Sequence, residues 1–377
     1  MRRHCIAPRP NSQSTVAHSG LTYHTQSDGT PYWDESGFWE FTSSEIDRLE
    51  AATAEIQRLA VNAGNHILDH NRLAKMKIPA AAAMRIREIW NSEPLALYGR
   101  LDLAFDGRQI KLLEYNADTP TALVEAAVTQ WFWLHDCFPD ADQFNSLHEK
   151  LVARWKDLIP YLKQPVYFGH DGSEEDLMTV SYLRDTAEQA GHRTIPIPMR
   201  KIGWEDATEC FVDLDRMPIE SLFKLYPWEW LLKEQFGTQA LRTMSRMNWL
   251  EPIWKMMWSN KALLAILWEL NPNHELLLPA YQDGPHDLSD YVKKPLFGRE
   301  GAGITVFRNG VAAEGGSEER QGEDFVFQKL ASLASEGGNT AVIGSWLVDG
   351  EPAGIGIRES CGLITRNTSR FVPHLFR

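Results

Sequence analysis

Apolar residues recur at helical spacing from Thr42 to about Met76, where Ile46, Leu49, Ile56, Leu59, Ala63 and Ile67 fall on one stripe. Ser44 with Asp47 supplies a capping box at the start of that helix. Pro79 opens a second predicted helix over Ala80–Trp90, because proline suits a first turn. Ahead of both, residues 1–41 are rich in Pro, Ser, His, Gly and Thr and carry no period. They read as an irregular arm that gains order by packing Tyr32, Trp33, Phe38, Trp39 and Phe41.

Residues 95–122, LALYGRLDLAFDGRQIKLLEYNADTPTA, alternate on both sides of Asp106-Gly107 and predict a hairpin. A two-residue loop there would pair odd with even positions and mix polar with apolar side chains on both faces. A three-residue loop with a bulge puts Leu101, Leu103, Leu113 and Tyr115 on one face and Arg100, Asp102, Glu114 and Asn116 on the other. Burial selects between registers, because a slip of one residue flips every side chain. The three-residue loop is therefore the expectation.

Helix is expected from about Thr121 and again over Gln143–Leu162. Residues 165–200 read strand, helix, strand, which implies a parallel pair in an α/β layer. Ile202–Leu214 reads as a further strand region and Pro218–Gly237 as helix. In the last part, Asn260–Leu270 is helical. Strands are expected near Tyr291–Leu296, Ile304–Arg308, Phe325–Lys329, Thr340–Leu347 and Gly354–Glu359, with turns at Asn309-Gly310, Gly315-Gly316 and Asp349-Gly350. No fixed repeat is present. The organisation that follows is an arm over 1–41, helices plus the hairpin over 42–162, an α/β unit over 163–250 and a last unit over 251–377.

Composition narrows the class. A chain of 377 residues with 43% hydrophobic and 24% charged residues is globular. A net charge of −13 argues against nucleic acid or an anionic membrane as partner. The four cysteines show no zinc spacing and are too few for a disulfide framework, which fits a reducing cytoplasm. No apolar run approaches the ~18 residues of a membrane span, and the basic start lacks the apolar stretch of a secretory signal.

The hairpin's polar face carries the first candidate chemistry. Asp102, Glu114 and Asn116 are hard oxygen donors of the kind Mg2+ takes, and Arg100 beside them can grip a phosphoryl or carboxylate group. The same pattern also describes a charged, solvent-facing strand with a salt bridge. The segment KKPLFGREGAGI sets Lys294 at a strand end before Gly298, Gly301 and Gly303, which suits a mobile cover over phosphates. It is neither a Walker loop nor a dinucleotide fingerprint, and alone it equally describes a glycine-rich hairpin. Lys261 begins an apolar helix, a place that favours anions or simply a solvated lysine. Gln328, in FVFQK, sits on a strand that can offer its backbone to an adenine edge, or on an ordinary core strand. Arg358 alternates away from Ile357, as an active-site cation or a salt-bridge partner. Glu174, Glu175 and Asp176 follow a strand of the α/β unit, where a cationic amine can bind, but the first turn of a helix favours acids for its own reasons.

Taken in order, these segments resemble the glutathionylspermidine synthase family, in its synthetase part, and more closely its stand-alone bacterial acid–amine ligase relatives. The carriers are YWDESGFWEFTSSEIDRLEAAT, YGRLDLAFDGRQIKLLEYNADTPTALVEAA, EPIWKMMWSNKALLAILWEL, VKKPLFGREGAGI and GIRESCGLITRNTSRFVPHLF. The resemblance implies an α/β ATP-grasp fold, permuted as in eukaryotic glutathione synthetases, with an α/β substrate unit. It implies ATP and a pair of Mg2+ ions, the metal held by Asp102, Glu114 and Asn116. Arg100 and Arg358 would stabilise the acyl phosphate. Lys261 and Lys294 would hold the phosphates, with Gly298–Gly303 as the cover and Gln328 at the nucleotide. Thr119 and Thr121 stand where the family places serine hydroxyls on the acid, and Glu175 and Asp176 near its amine-binding acids. The activity implied joins glutathione or another acid to a polyamine or other amine, in the cytoplasm and without the amidase of the bifunctional enzymes.

Two rival readings differ in class. A catalytically silent ATP-binding regulatory protein would keep the fold, but the retention of Arg100, Asp102, Glu114, Asn116, Lys261, Lys294 and Arg358 counts against decay. A carbohydrate-active protein would explain the 14 tryptophans, but it leaves the lysine–glycine segment unexplained. The sequence names neither the acid, nor the amine, nor the oligomeric state.

Overall fold

The computed structural model describes residues 1–92, 95–315, 324–366 and 368–377. The apolar stripe of the long helix becomes Ser43–Asp69, and all six predicted positions are buried. Its cap is Thr42 with Glu45 rather than Ser44 with Asp47. Thr42 is the last extended residue, so its hydroxyl accepts from Glu45 N at 3.2 Å while Glu45 reaches back to Thr42 N at 3.0 Å. Pro79 precedes the helix Ala80–Trp90 as expected.

The helix stripe packs on the apolar face of the central sheet, in one cluster with Leu101, Leu103, Leu112 and Tyr115. That sheet runs Arg370–Val372, Glu351–Ser360, Asn339–Val348, Tyr98–Phe105, Ile110–Asn116 in spatial order. The hairpin from the first third of the chain is thus paired directly with strands from its end. A second antiparallel sheet runs Ala280–Tyr281, Phe325–Lys329, Tyr291–Pro295, Thr305–Arg308, Val311–Gly315. The predicted turn at Gly315-Gly316 runs out of the described residues after Gly315.

The hairpin departs from expectation in an informative way. Its loop has four residues, Asp106–Gln109, closed by Asp106 Oδ1 accepting from Arg108 N and Gln109 N at 2.8 and 2.7 Å. That loop pairs Phe105 with Ile110 and Leu103 with Leu112. A bulge between Asp102 and Leu103 then absorbs Leu113, so Asp102 pairs with Glu114 and Arg100 with Asn116. The polar face forms as foreseen, but the core residue is Leu112, and Leu113 is turned to the site. Two demands cannot both be met by an unbroken ladder: apolar pairing near the turn and polar pairing at the far end. The extra residue reconciles them.

Residues 166–250 form a four-stranded parallel sheet, Asn248–Leu250, Ser221–Leu225, Val166–His170, Thr194–Pro198. The strand–helix–strand reading holds, with the helix at Glu174–Gln189. The expected helix over 218–237 is instead the strand Ser221–Leu225 followed by the short helix Trp228–Leu231. A five-residue run buried on both faces has no period to reveal it. The amino-terminal arm is also more ordered than its composition suggests. Arg2–Cys5 pairs antiparallel with Gly37–Phe41, which runs parallel to His374–Phe376. Its partner lies at the other end of the chain, beyond the reach of local pattern. Among the described residues, no helix is long and apolar enough to cross a membrane.

The bulge makes a sharp expectation. Leu112→Ala should cost about 2–5 kcal/mol by leaving a core cavity, and Leu113→Ala under about 1 kcal/mol. Urea unfolding midpoints of the two variants check it; equal losses would contradict the register.

Candidate active site

The polar face of the hairpin, the loop after it, and the second sheet enclose a cavity of about 120 Å³. Its walls include Arg100, Asp102, Glu114, Asn116, Thr119, Thr121, Lys294, Gly301, Gln328 and Arg358. Ten of the predicted residues therefore meet in one place. Lys261 reaches the same face from the start of the helix Ala262–Leu270, its Nζ 3.0 Å from Glu114 Oε2 and 2.7 Å from Gly298 O. Gly303 stands apart from the walls, and both it and Gly301 have positive φ. A Cβ on Gly301 would lie 2.6 Å from Thr365 O, so the cover can lie this close only with glycine there.

The hairpin face is a network. Arg100 Nε donates to Asp102 Oδ1 at 2.7 Å, and its Nη1 to Thr121 O at 2.7 Å. The guanidinium stacks over Trp346, 5.6 Å from the ring. Asn116 Nδ2 lies 3.3 Å from Asp102 Oδ2 and 3.0 Å from Glu114 Oε1. Two carboxylates and one amide thus converge, and turning the amide over places a third oxygen among them. That donor set fits a hard divalent cation. It depends on the amide, since among the described residues no group of three or more His, Cys, Asp or Glu is placed to hold a metal.

Charge is balanced tightly. Burial would push the Glu114 carboxyl up, but Lys261, Lys294 and Asn116 hold it well below its ordinary range. Burial pulls Lys294 down to about 8, against the attraction of Glu114. Lys294 Nζ donates to Leu113 O at 2.9 Å and to Gln328 Oε1 at 2.7 Å, and Gln328 Nε2 donates to Leu112 O at 2.9 Å. Both ends of the Gln328 amide are therefore committed to the bulge and the lysine. Arg358 lies 5.1 Å over the Phe371 ring, and its buried Nε has no hydrogen-bond partner among the described residues. An orphaned guanidinium N–H in a cavity wall suits an anion.

A second cavity of about 390 Å³ adjoins the first, sharing Thr121, Arg299 and Glu300. Asp171, Glu174, Glu175 and Asp176 line it. The acids serve both readings at once: they occupy the first turn of Glu174–Gln189, capped by Ser173, and they face a cavity. Burial, and then Asp171 beside it, push the Asp176 carboxyl to about 7. Burial likewise carries Glu125 to about 7, although Tyr32 Oη donates to it at 2.7 Å.

Residues 3–377 match the family described as "Glutathionylspermidine synthase preATP-grasp". The chain belongs to the glutathionylspermidine synthase family. A Haemophilus influenzae protein that bears the provisional name acid–amine ligase is 39% identical over 98% of this chain and 97% of its own length. Trypanothione synthetase of Crithidia fasciculata is 28% identical over 81% of the chain, and the bifunctional glutathionylspermidine synthetase/amidase of Escherichia coli 25% identical over 90%. The chain spans 51% and 59% of those two longer proteins. A glutathione synthetase-like effector from Globodera pallida superposes with a TM-score of 0.54 at 9% identity, over 99% of this chain and all of its own. The fold is accordingly the mixed α/β ATP-grasp type of the glutathione synthetase-like proteins.

Sequence reasoning passed over Arg299, although it stands inside the quoted glycine segment. It donates to Thr119 Oγ1, stacks 5.5 Å over Trp230, and lies where the two cavities of this family member meet. It also passed over Asp118 and Glu125, buried acids in the stretch after Asn116, whose burial only the tertiary fold creates.

The raised Asp176 carboxyl has a sign. Between its ordinary 3.8 and about 7 the folded chain holds a proton that the unfolded chain has lost, so stability falls as pH rises through that window. Asp176→Asn should gain on the order of 1–3 kcal/mol over the wild type at pH 8.5 and nothing at pH 3.5. Denaturation at the two pH values checks it; no gain at pH 8.5 would contradict it.

Proposed function

We propose that the chain is an ATP-dependent carboxylate–amine ligase that forms an amide through an acyl phosphate. The observation that carries this reading is the union, in one cavity, of an oxygen-donor face, Lys294, Arg100 and Arg358, with Lys261 against Glu114 of that face, next to a second cavity lined with acids. The relatives named as acid–amine ligase, trypanothione synthetase and glutathionylspermidine synthetase support the reaction class.

In this reading the phosphate end of ATP lies in the first cavity, against the oxygen-donor face. Mg2+, held by Asp102, Glu114 and Asn116, would supply charge neutralisation at the phosphates. Lys294 and Lys261 hold the phosphate tail. Arg100 and Arg358 face the carboxylate and the transferring phosphoryl group, where charge spreads in the transition state. A carboxylate oxygen attacks the γ-phosphorus, the bond to ADP breaks, and an acyl phosphate forms. Thr119 and Thr121 line the acid's place. The amine, drawn by Glu175 and Asp176, attacks the acyl carbon through the shared mouth; phosphate leaves, the nitrogen loses a proton, and an amide remains. The glycine segment around Gly298–Gly303 closes over the intermediate and keeps water out. Glutathione and a polyamine are the substrates to try first, because the relatives' names contain them.

A screen of acids and amines with ATP and Mg2+, read by ADP and amide formation, tests this. Turnover is expected with at least one pair. Asp102→Ala should lower it by about 100-fold or more without unfolding the chain. Turnover untouched by that change would contradict the metal assignment.

A further inference from the structure

We infer that Asp118 and Lys224 form a positioning pair that sets the spacing between the two cavities, and so couples ATP consumption to amide formation. The inference rests on the ligase reading above. Asp118 follows Asn116 by two positions, in the loop that carries Thr119, Pro120 and Thr121 into the first cavity. Lys224 lies on the strand Ser221–Leu225, inside the parallel sheet. That strand runs on into Leu225, Tyr226 and Pro227, which line the second cavity.

One carboxylate joins the two walls. Asp118 Oδ1 accepts from Lys224 Nζ at 2.6 Å, and its Oδ2 accepts from Trp228 N at 2.9 Å. Lys224 Nζ also donates to Tyr226 O at 3.0 Å and lies 4.6 Å over the Trp228 ring. Both side chains are all but sealed from solvent, at 2% and 0% exposure, and neither is among the residues that line the two cavities. The pair therefore acts without touching a substrate.

The rest of the loop is anchored independently. Ala117 N and Asp118 N donate to Ser259 Oγ at 3.0 and 2.9 Å, Tyr98 Oη to Pro120 O at 3.0 Å, and Arg100 to Thr121 O. Those bonds tie the loop to the hairpin and the helix before Lys261. Only the Asp118 carboxylate, in this set, ties it to the sheet that bears the acidic cavity. Buried ion pairs add little net stability over an apolar replacement, so fold stability alone does not account for a charged pair here. Distance does: an acyl phosphate and an amine must meet within near-attack range, and a small misplacement lets water compete.

The test uses the whole chain with ATP, Mg2+, glutathione as acid probe and spermidine as amine probe. A parallel arm replaces spermidine with hydroxylamine, which captures acyl phosphate as hydroxamate. Two variants are compared: Asp118→Asn with Lys224→Met, which removes both charges and keeps an acceptor for Trp228 N, and Asp118→Asn alone. The wild type should release ADP and amide in equal amounts. The variants should still form hydroxamate and bind nucleotide as the wild type does, but release at least about 3-fold more ADP than amide. A merely structural role lowers ADP and amide in step at an unchanged ratio, and that result would overturn the inference. Where glutathione gives no hydroxamate, the acid that turns over in the screen above replaces it; a wild type that forms neither amide nor hydroxamate with any acid of that screen contradicts the ligase reading instead.

Discussion

Everything in the site depends on keeping three charges, Glu114, Lys261 and Lys294, in a place with little water. Each comes from a different element: the second hairpin strand, the residue before an apolar helix, and a strand of the second sheet. Burial opposes the charge on Glu114 and on Lys294, so neither is stable there alone. Glu114 stays ionised because two ammonium groups face it, and Lys294 keeps its proton near neutrality because Glu114 answers it. The network ends in further partners, Gly298 O, Leu113 O and Gln328. A buried charge pair is safe only when its remaining hydrogen bonds are satisfied, and here the glycine segment and the bulge satisfy them.

The topology serves that balance. The strand Tyr98–Phe105 lies beside Asn339–Val348, which pairs Val342 with Arg358 on its other side. This order brings Arg100 and Arg358 to one cavity although more than half the chain separates them. Gly344, opposite Asp102, leaves the room that Arg100 needs; a Cβ there would lie 3.0 Å from Arg100 Cδ. The bulge at Leu113 then turns a backbone carbonyl out of the ladder and toward Lys294. An irregularity in the ladder thus becomes a ligand for a charge.

The hairpin's polar face was legible because strand period and burial leave a single clean register, even though the loop length was misjudged. Both registers gather Arg100, Asp102, Glu114 and Asn116 on one face; the observed one sets Glu114 opposite Asp102 and buries Ile110 and Leu112 in place of Leu113. The long helix was legible from its stripe, and its cap was misplaced because Thr42 with Glu45 and Ser44 with Asp47 fit the same short pattern. Ser221–Leu225 was illegible as a strand, since a short run buried on both faces carries no period. The pairing of Arg2–Cys5 with Gly37–Phe41 and His374–Phe376 is set by contacts across the whole chain. Arg299 and Asp118 were in view as letters, but their meaning lies in what the fold brings against them.

The most direct measurement of the central claim is Mn2+ binding followed by electron paramagnetic resonance, with a non-hydrolysable ATP analogue, in the wild type and in Glu114→Ala. The account predicts nucleotide-dependent Mn2+ binding in the wild type, with a spectrum altered by the protein, and its loss in the variant while the fold persists. Mn2+ binding that is the same in both proteins would contradict it.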